Sequence, residues 1–349
     1  MGFSLFSKKD KFLGIDVGTF SIKVVEMSKK GKQATLENYG EVATKDISNM
    51  FLKEDEEEKL KMAEKATADS IKYVIKEAGM KARESFFSVP NFTTFFTTFS
   101  LPPMEEEEVE SSIKYQAKKH IPLSPSEVFL DWSVEKEKNN ERKVSLVAVP
   151  NDVVQRYQRI AKQCGLDINV LEMESFSLKR CLNQSKKKIS VVMDIGFSGT
   201  GISAIENGKL KVTHRTTFSG SMVTEELARG LNLIYNEKKA NKIKESEGMK
   251  GKNREIIAPL VDELIKEMSI SFTSYIEKDT SEIEEIVLCG GGSLLPGLRE
   301  YIAEKTGIET RYMSPDFIKY PSYVKEFMES EVGPIFSVAI GAALYSTKK

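Results

Sequence analysis

Long apolar runs are missing from this sequence. The apolar stretch at residues 335–344 has the length of a buried helix, short of the roughly 18 residues that cross a bilayer. A charge excess is missing too. Lys and Arg total 51, Asp and Glu 52, and the net charge of -1 gives no field that would gather nucleic acid or an acidic membrane. Cysteine is scarce. Cys164, Cys181 and Cys289 are odd in number and scattered, and the two histidines, His120 and His214, lie far from them along the chain. That excludes a disulfide framework and offers no metal-ligand spacing, so buried free thiols in a reducing compartment are expected. The opening residues 1–6 lack the length and cleavage pattern of a signal peptide. Phe6 stands where N-myristoylation wants Ser or Thr. The expected location is cytoplasmic.

What is present suits a soluble α/β protein. With 349 residues, 40% of them hydrophobic, the chain is long enough for about two to four subdomains. Residues 12–17 and 22–27 read as two strands around a Gly-containing turn, and 34–43 as a third. The charge run 53–61 reads as a solvated loop leading into a helix that ends near Gly79. Residues 92–101 are rich in strand formers and are broken by Pro102 and Pro103. A helix is expected from about Glu105, with Glu105 to Glu108 at the positive end of its dipole and Lys118, Lys119 and His120 at the negative end. Strands at 128–134 and 143–149 follow. This strand-helix-strand-strand order predicts a small module inserted at 88–165. A helix from 152 to 164 ends at Gly165. Beyond it come a strand at 189–194, a long helix at 255–275, a strand at 286–289 and the apolar closing helix.

An internal repeat carries the chemistry. Gly14-Ile-Asp16-Val-Gly18-Thr19-Phe20-Ser21-Ile-Lys23 and Val192-Met-Asp194-Ile-Gly196-Phe197-Ser198-Gly199-Thr200 both set an apolar strand, an Asp and a Gly two residues later ahead of a small-residue turn. The two Asp residues lie 178 positions apart. This predicts a duplicated strand-loop-strand unit facing itself across a cleft. A turn without bulky side chains lets backbone N–H groups approach a phosphate. Thr19, Ser21, Ser198 and Thr200 can add hydroxyl donors, and Lys23 a point charge. Asp16 and Asp194 repel phosphate, and are better placed to hold Mg²⁺ through water or to orient an attacking water. Gly290, Gly291, Gly292 and Ser293 follow a buried strand and precede an expected helix at 294–301. Side-chain-free backbone there can pack against an adenine ring, although a plain strand-to-helix turn would look the same.

These segments resemble, in order, the two phosphate loops and the adenosine motif of the actin-like ATPase superfamily. Residues 172–182 and 339–344 look like its two connecting helices. The module at 88–165 replaces the usual small subdomain, which is similar to FtsA-like division proteins. Within that group the chain resembles the PilM family of type IV pilus assembly over nearly its whole length, through residues 6–18, 101–122, Leu130-Asp131-Trp132 and 333–341. The resemblance implies an actin-like fold of two ribonuclease-H-like lobes: a first lobe at 1–87, resumed at 166–188, a second at 189–330, and a closing helix at 331–349. It also implies ATP and Mg²⁺, a PilN-type cytoplasmic tail in a groove near the module, and a place beside pilus platform and motor proteins. Membrane association would be indirect, and self-association is left open. By the same resemblance Gly220, Glu237, Asn241 and Lys244 would serve the nucleotide. The family's Ala-Glu-x-x-Lys reads here Ala240-Asn241-Lys-Ile-Lys244, so the acidic ribose ligand is replaced by an amide, with Glu237 one turn earlier. Glu174 falls nearest the position of actin's water-orienting Gln. Hydrolysis is left open between slow and none.

Two other functions fit the fold. A small-molecule kinase would need an acid or base beside a second-substrate pocket, and the sequence shows no such constellation. An FtsA-like membrane-bound polymer would want an amphipathic C-terminal anchor, whereas the sequence ends at Lys349 directly after the expected closing helix. Blander roles are expected for Trp132 (core packing), His120 (capping a helix end) and the Phe-rich strand (core).

Overall fold

The computed structural model describes residues 10–31, 33–43, 57–136, 140–182, 189–276 and 283–348. Two five-stranded sheets carry the architecture. The first comprises β1 (Asp10–Val17), β2 (Ser21–Lys30), β3 (Gln33–Ala43), β4 (Glu84–Val89) and β8 (Asp167–Met173), in the order β3-β2-β1-β4-β8. The second comprises β9 (Ile189–Ile195), β10 (Thr200–Glu206), β11 (Lys209–Thr216), β12 (Glu285–Cys289) and β13 (Glu309–Tyr312), in the order β11-β10-β9-β12-β13. In each, a central strand pairs antiparallel with the next strand and parallel with a later one. The sequence repeat is therefore a repeat of topology.

β1 is apolar on both faces because both are covered. Leu13, Ile15 and Val17 pack under α1 (Glu57–Glu77) and α3 (Asn151–Cys164), and Phe12 faces the opposite core. On that opposite side α9 (Gly333–Ala343) lies against β1 and against α4 (Glu174–Cys181). The approach is possible only because Gly14 and Gly341 have no side chain. A Cβ on Gly14 would lie 2.0 Å from the Ala339 carbonyl oxygen, and one on Gly341 would lie 2.0 Å from that of Ser177. The core around α4 and α9 draws Phe12, Val25 and Phe86 from the first lobe and Val192, Val287 and Met313 from the second. The two helices thus join the lobes.

A separate three-stranded antiparallel sheet, in the order β5-β7-β6, is formed by β5 (Phe95–Leu101), β6 (Val128–Lys136) and β7 (Arg142–Pro150). α2 (Glu106–His120) covers it through Val109, Ile113 and Ala117. Of the stretch 88–165, this sheet and α2 form the layer with its own core, whereas α3 packs on α1 in the first lobe. Phe95, Phe99 and Trp132 pack against the small core, and Phe96 turns the other way to meet Phe176 of α4 edge-on at 6.0 Å. The His120 ring stacks on Phe99 at 5.3 Å.

Three local differences have plain causes. The expected helix at 294–301 is split. Gly291–Leu294 makes a single 3-10 turn, Pro296 follows, and Gly297 in the left-handed region starts α8 (Leu298–Thr306). Glu172 and Met173 belong to the end of β8, and α4 begins at Glu174. Part of the charge run 53–61 belongs to α1, and residues 53–56 lie outside the described residues, as does segment 6–9 of the resemblance. α5 (Gly220–Gly230), α6 (Glu237–Ser246) and α7 (Arg254–Ile276) complete the second lobe, with Ile257, Val261, Leu264, Met268 and Phe272 of α7 buried and Leu260 and Ile265 half-buried against them.

Candidate functional site

Each Asp-x-Gly turn closes on itself in the same way. The Gly18 N–H donates to the Ser21 carbonyl (3.1 Å), and the Gly196 N–H to that of Gly199 (3.0 Å). The two turns then meet. Ser198 Oγ donates to Thr19 Oγ1 at 2.9 Å, and the rings of Phe20 and Phe197 stack with centroids 4.8 Å apart. The expected facing of the twin loops is a direct contact.

Behind the turns, Asp16 and Asp194 are the penultimate residues of β1 and β9. Lys23 sits opposite Asp16 in the β1–β2 register, its Nζ 3.6 Å from the Asp16 carboxylate and 3.9 Å from that of Glu41. Glu174, first residue of α4, accepts the Asn91 N–H at 3.0 Å. Burial raises all three acids, and a neighbouring carboxylate adds to it in each case: Glu41 for Asp16, Asp16 for Asp194, and Asp194 with Asp16 for Glu174. Asp194 is pushed up to about 6, by burial first and by Asp16 second. Glu174 is raised well above the carboxylate range by burial, then by Asp194 and Asp16. Asp16 is raised by burial and partly held down by Lys23. Burial would depress the Lys23 ammonium, but Asp16, Glu41 and Asp194 together lift it. One cation therefore faces an excess of buried carboxylates, a setting that favours a further positive charge. Among the described residues no three His, Cys, Asp or Glu side chains are grouped closely enough to hold a metal unaided.

Not every expected donor faces the cleft. Ser21 Oγ donates to Glu41 (2.5 Å) and Thr200 Oγ1 to the Phe218 carbonyl (2.7 Å), and both residues are buried. Thr19 and Ser198 remain the available hydroxyl pair. Gly220 opens α5, where its N–H donates to the Gly196 carbonyl and that of Ser221 to Phe197, both at 3.0 Å. Lys244 donates to the Gly220 carbonyl (3.0 Å) and the Thr224 hydroxyl (2.8 Å), and burial depresses its ammonium. The Asn241 amide donates to Glu245 (2.6 Å), while Glu237 is exposed on the first turn of α6.

The glycine run packs against the second loop. A Cβ on Gly290 (φ 78°) would sit 2.5 Å from Asp194 Oδ1, and one on Gly292 would sit 2.5 Å from Ile195 Cγ2; at Gly291 it would meet open space. The Gly290 N–H donates to the Pro334 carbonyl of α9 (2.9 Å), and Ser293 Oγ is buried on the Gly290 carbonyl (2.7 Å). Sequence reasoning did not find Glu41, Asn91, Arg215, Thr224 or Glu245. Only Glu41 left a usable signal, since it stands opposite Lys23 in the β2–β3 register.

Two lobes of matching topology, joined by α4 and α9 and facing each other through twin Asp-x-Gly turns, define a protein of the actin-like fold. The family described as type IV pilus assembly protein PilM matches residues 14–347, and the chain belongs to that family. A solved PilM-PilN type IV pilus biogenesis complex contains a chain of the same fold, at TM-score 0.81 and 24% identity, covering 97% of this chain and 98% of that one. Ethanolamine utilization protein EutJ from Carboxydothermus hydrogenoformans is similar at TM-score 0.53 and 15% identity, over 97% and 91% of the two chains. The cell division protein FtsA of Streptococcus pneumoniae is 22% identical over 379 residues, covering 92% of this chain and 79% of FtsA. No helix among the described residues is long and apolar enough to cross a membrane.

Proposed function

We propose that this chain is an ATP-binding scaffold on the cytoplasmic face of a type IV pilus assembly platform, and that it holds the cytoplasmic tail of a PilN-type membrane protein near its three-stranded unit. The observation that carries the nucleotide part is the meeting of the two turns at Thr19 and Ser198, with Asp16 buried and Lys23, Asp194 and Glu174 half-buried behind them. In support, MreB5 of Spiroplasma citri, of similar fold at TM-score 0.50 and 12% identity, was solved bound to AMPPNP. The partner reading draws on the solved PilM-PilN complex.

The residues fit the proposed ligands. Glycine-containing turns and the Thr19 and Ser198 hydroxyls would face phosphate, and Lys23 would supply a charge. Asp16 and Asp194 would hold Mg²⁺ through water, because the described side chains alone do not complete a coordination shell. Magnesium, when bound, would neutralise phosphate charge. The open face at Gly291 would lie toward the base, and Asn241 with Glu237 toward the ribose. Glu174, already bound to Asn91, would orient a water, which makes any hydrolysis slow. ATP would part and re-seat the loops, and the groove for the tail would change with them. Calorimetric titration of a PilN-type tail peptide with and without saturating MgATP tests the reading. Different affinities are expected; equal affinities would remove the gating, and no heat from MgATP would remove the nucleotide.

A further inference from the structure

The turn Asn91–Thr93 stands where the chain leaves the first lobe for β5. It is tied to both lobes. The Asn91 N–H donates to Glu174 (3.0 Å), and its side-chain oxygen accepts from the Ser175 N–H (3.2 Å) and hydroxyl (3.1 Å). Ser175 Oγ is in turn 2.8 Å from Ser203 Oγ on β10 of the second lobe. The next residue, Phe92, lies under a guanidinium: Arg215 Cζ is 4.3 Å from its ring centroid. Arg215, exposed on the edge strand β11, also donates to the Ser198 carbonyl at 3.3 Å, and a Cβ on Gly199 would lie 2.9 Å from its Nε. One arginine therefore touches the second phosphate loop and the first ring of the path into the three-stranded unit.

We propose that Arg215 is a positioning residue that couples the state of the cleft to the orientation of the three-stranded unit, by holding the Ser198 carbonyl and the Phe92 ring at once. The proposal rests on the nucleotide-gated reading above. A phosphate cannot sit between loops that are themselves hydrogen-bonded, so ligand entry displaces Ser198 or Thr19. When Ser198 moves, the guanidinium must follow its carbonyl and leave the ring, or keep the ring and lose the carbonyl. Glu174 holds the other side of the same turn, so a change among the buried acids and a change in the loop both bear on Asn91–Thr93. Phe96, His120, Ile121, His214 and Arg215 line a cavity of about 220 Å³ between the unit and the second lobe, and this is the space such a shift reshapes. A planar cation over an aromatic ring is a contact lysine reproduces poorly.

A linkage experiment decides it. The affinity of a PilN-type tail peptide is measured with and without saturating MgATP for the parent chain, Arg215→Gln, Arg215→Lys and Phe92→Leu. The parent ratio is expected to be roughly fivefold or more, to fall toward one in Arg215→Gln and Phe92→Leu, and to be intermediate in Arg215→Lys. A merely structural role would lower both affinities and leave the ratio. A parent-like ratio in both Arg215→Gln and Phe92→Leu overturns the coupling role while the gated scaffold stands. A ratio of one in the parent overturns both.

Discussion

Phe20 and Phe197, one on each Asp-x-Gly loop, stack across the cleft with centroids 4.8 Å apart and an interplanar angle of 28°. Both rings are about half exposed, so the contact adds less to stability than a core pair and acts mainly as a clasp between lobes. A phosphate contacted from both loops needs about 3 Å on each side, which the stack and the Thr19–Ser198 bond do not leave. Opening must break an aromatic contact of roughly 1 kcal/mol. Phe20→Ala or Phe197→Ala is therefore expected to tighten MgATP binding by about two- to tenfold, read by titration with a fluorescent ATP analogue. Weaker binding would mean that the rings hold the ligand rather than exclude it.

Asp194 predicts a pH-dependent stability in the nucleotide-free protein. Its folded value of about 6 stands above the ordinary 3.8, so the folded state holds the proton more tightly than the unfolded one. Its contribution to stability then falls as pH rises from about 4 through 6. Asp194→Asn should stabilise the nucleotide-free protein at pH 7.5, by about 3 kcal/mol at the ceiling, with little gain at pH 4. Urea unfolding at the two pH values checks this. A variant that is less stable at pH 7.5 would show that the carboxylate is held by favourable contacts.

The fold was legible where one residue type could serve only one purpose. An apolar β1 implied two covered faces, and the repeated Asp-x-Gly implied repeated topology. The acidic start and basic end of α2 marked its polarity. In the candidate site the gathering of the acids around Lys23 was legible, and the placement of the hydroxyls less so. Whether Ser21 or Thr200 faces ligand depends on cross-strand partners such as Glu41 and the Phe218 carbonyl, which local sequence does not encode. Pro296 and Gly297 did signal the break ahead of α8, but the strand-to-helix pattern ran over them. Asn91 has no local pattern, because its partners Glu174 and Ser175 lie more than 80 residues away.

The glycine run makes a graded prediction. Gly290→Ala forces a left-handed backbone and a 2.5 Å contact with Asp194, and Gly292→Ala forces Ile195 aside, whereas Gly291→Ala enters open space. The outer two substitutions should each cost about 1–3 kcal/mol, and the middle one close to nothing. Gly291→Ala should nonetheless weaken MgATP binding if the base lies over that face. Thermal scans with and without nucleotide separate the two effects, and a destabilised Gly291→Ala would contradict the packing described.

Lys23 is the cation that holds the Asp16 carboxyl below where burial alone would put it. Lys23→Met keeps the length of the side chain and removes the charge, leaving Asp16 buried beside Glu41 and Asp194 with nothing to oppose them. An unpaired buried carboxylate escapes most of its cost by taking a proton. The folded-state value of Asp16 should therefore rise further, and the variant should lose stability progressively as pH increases through that value. The difference in melting temperature between parent and Lys23→Met is expected to widen as pH rises, with MgATP affinity reduced more than tenfold throughout. A constant difference would mean that Asp16 keeps its charge without Lys23, and that some other group among these residues supports it.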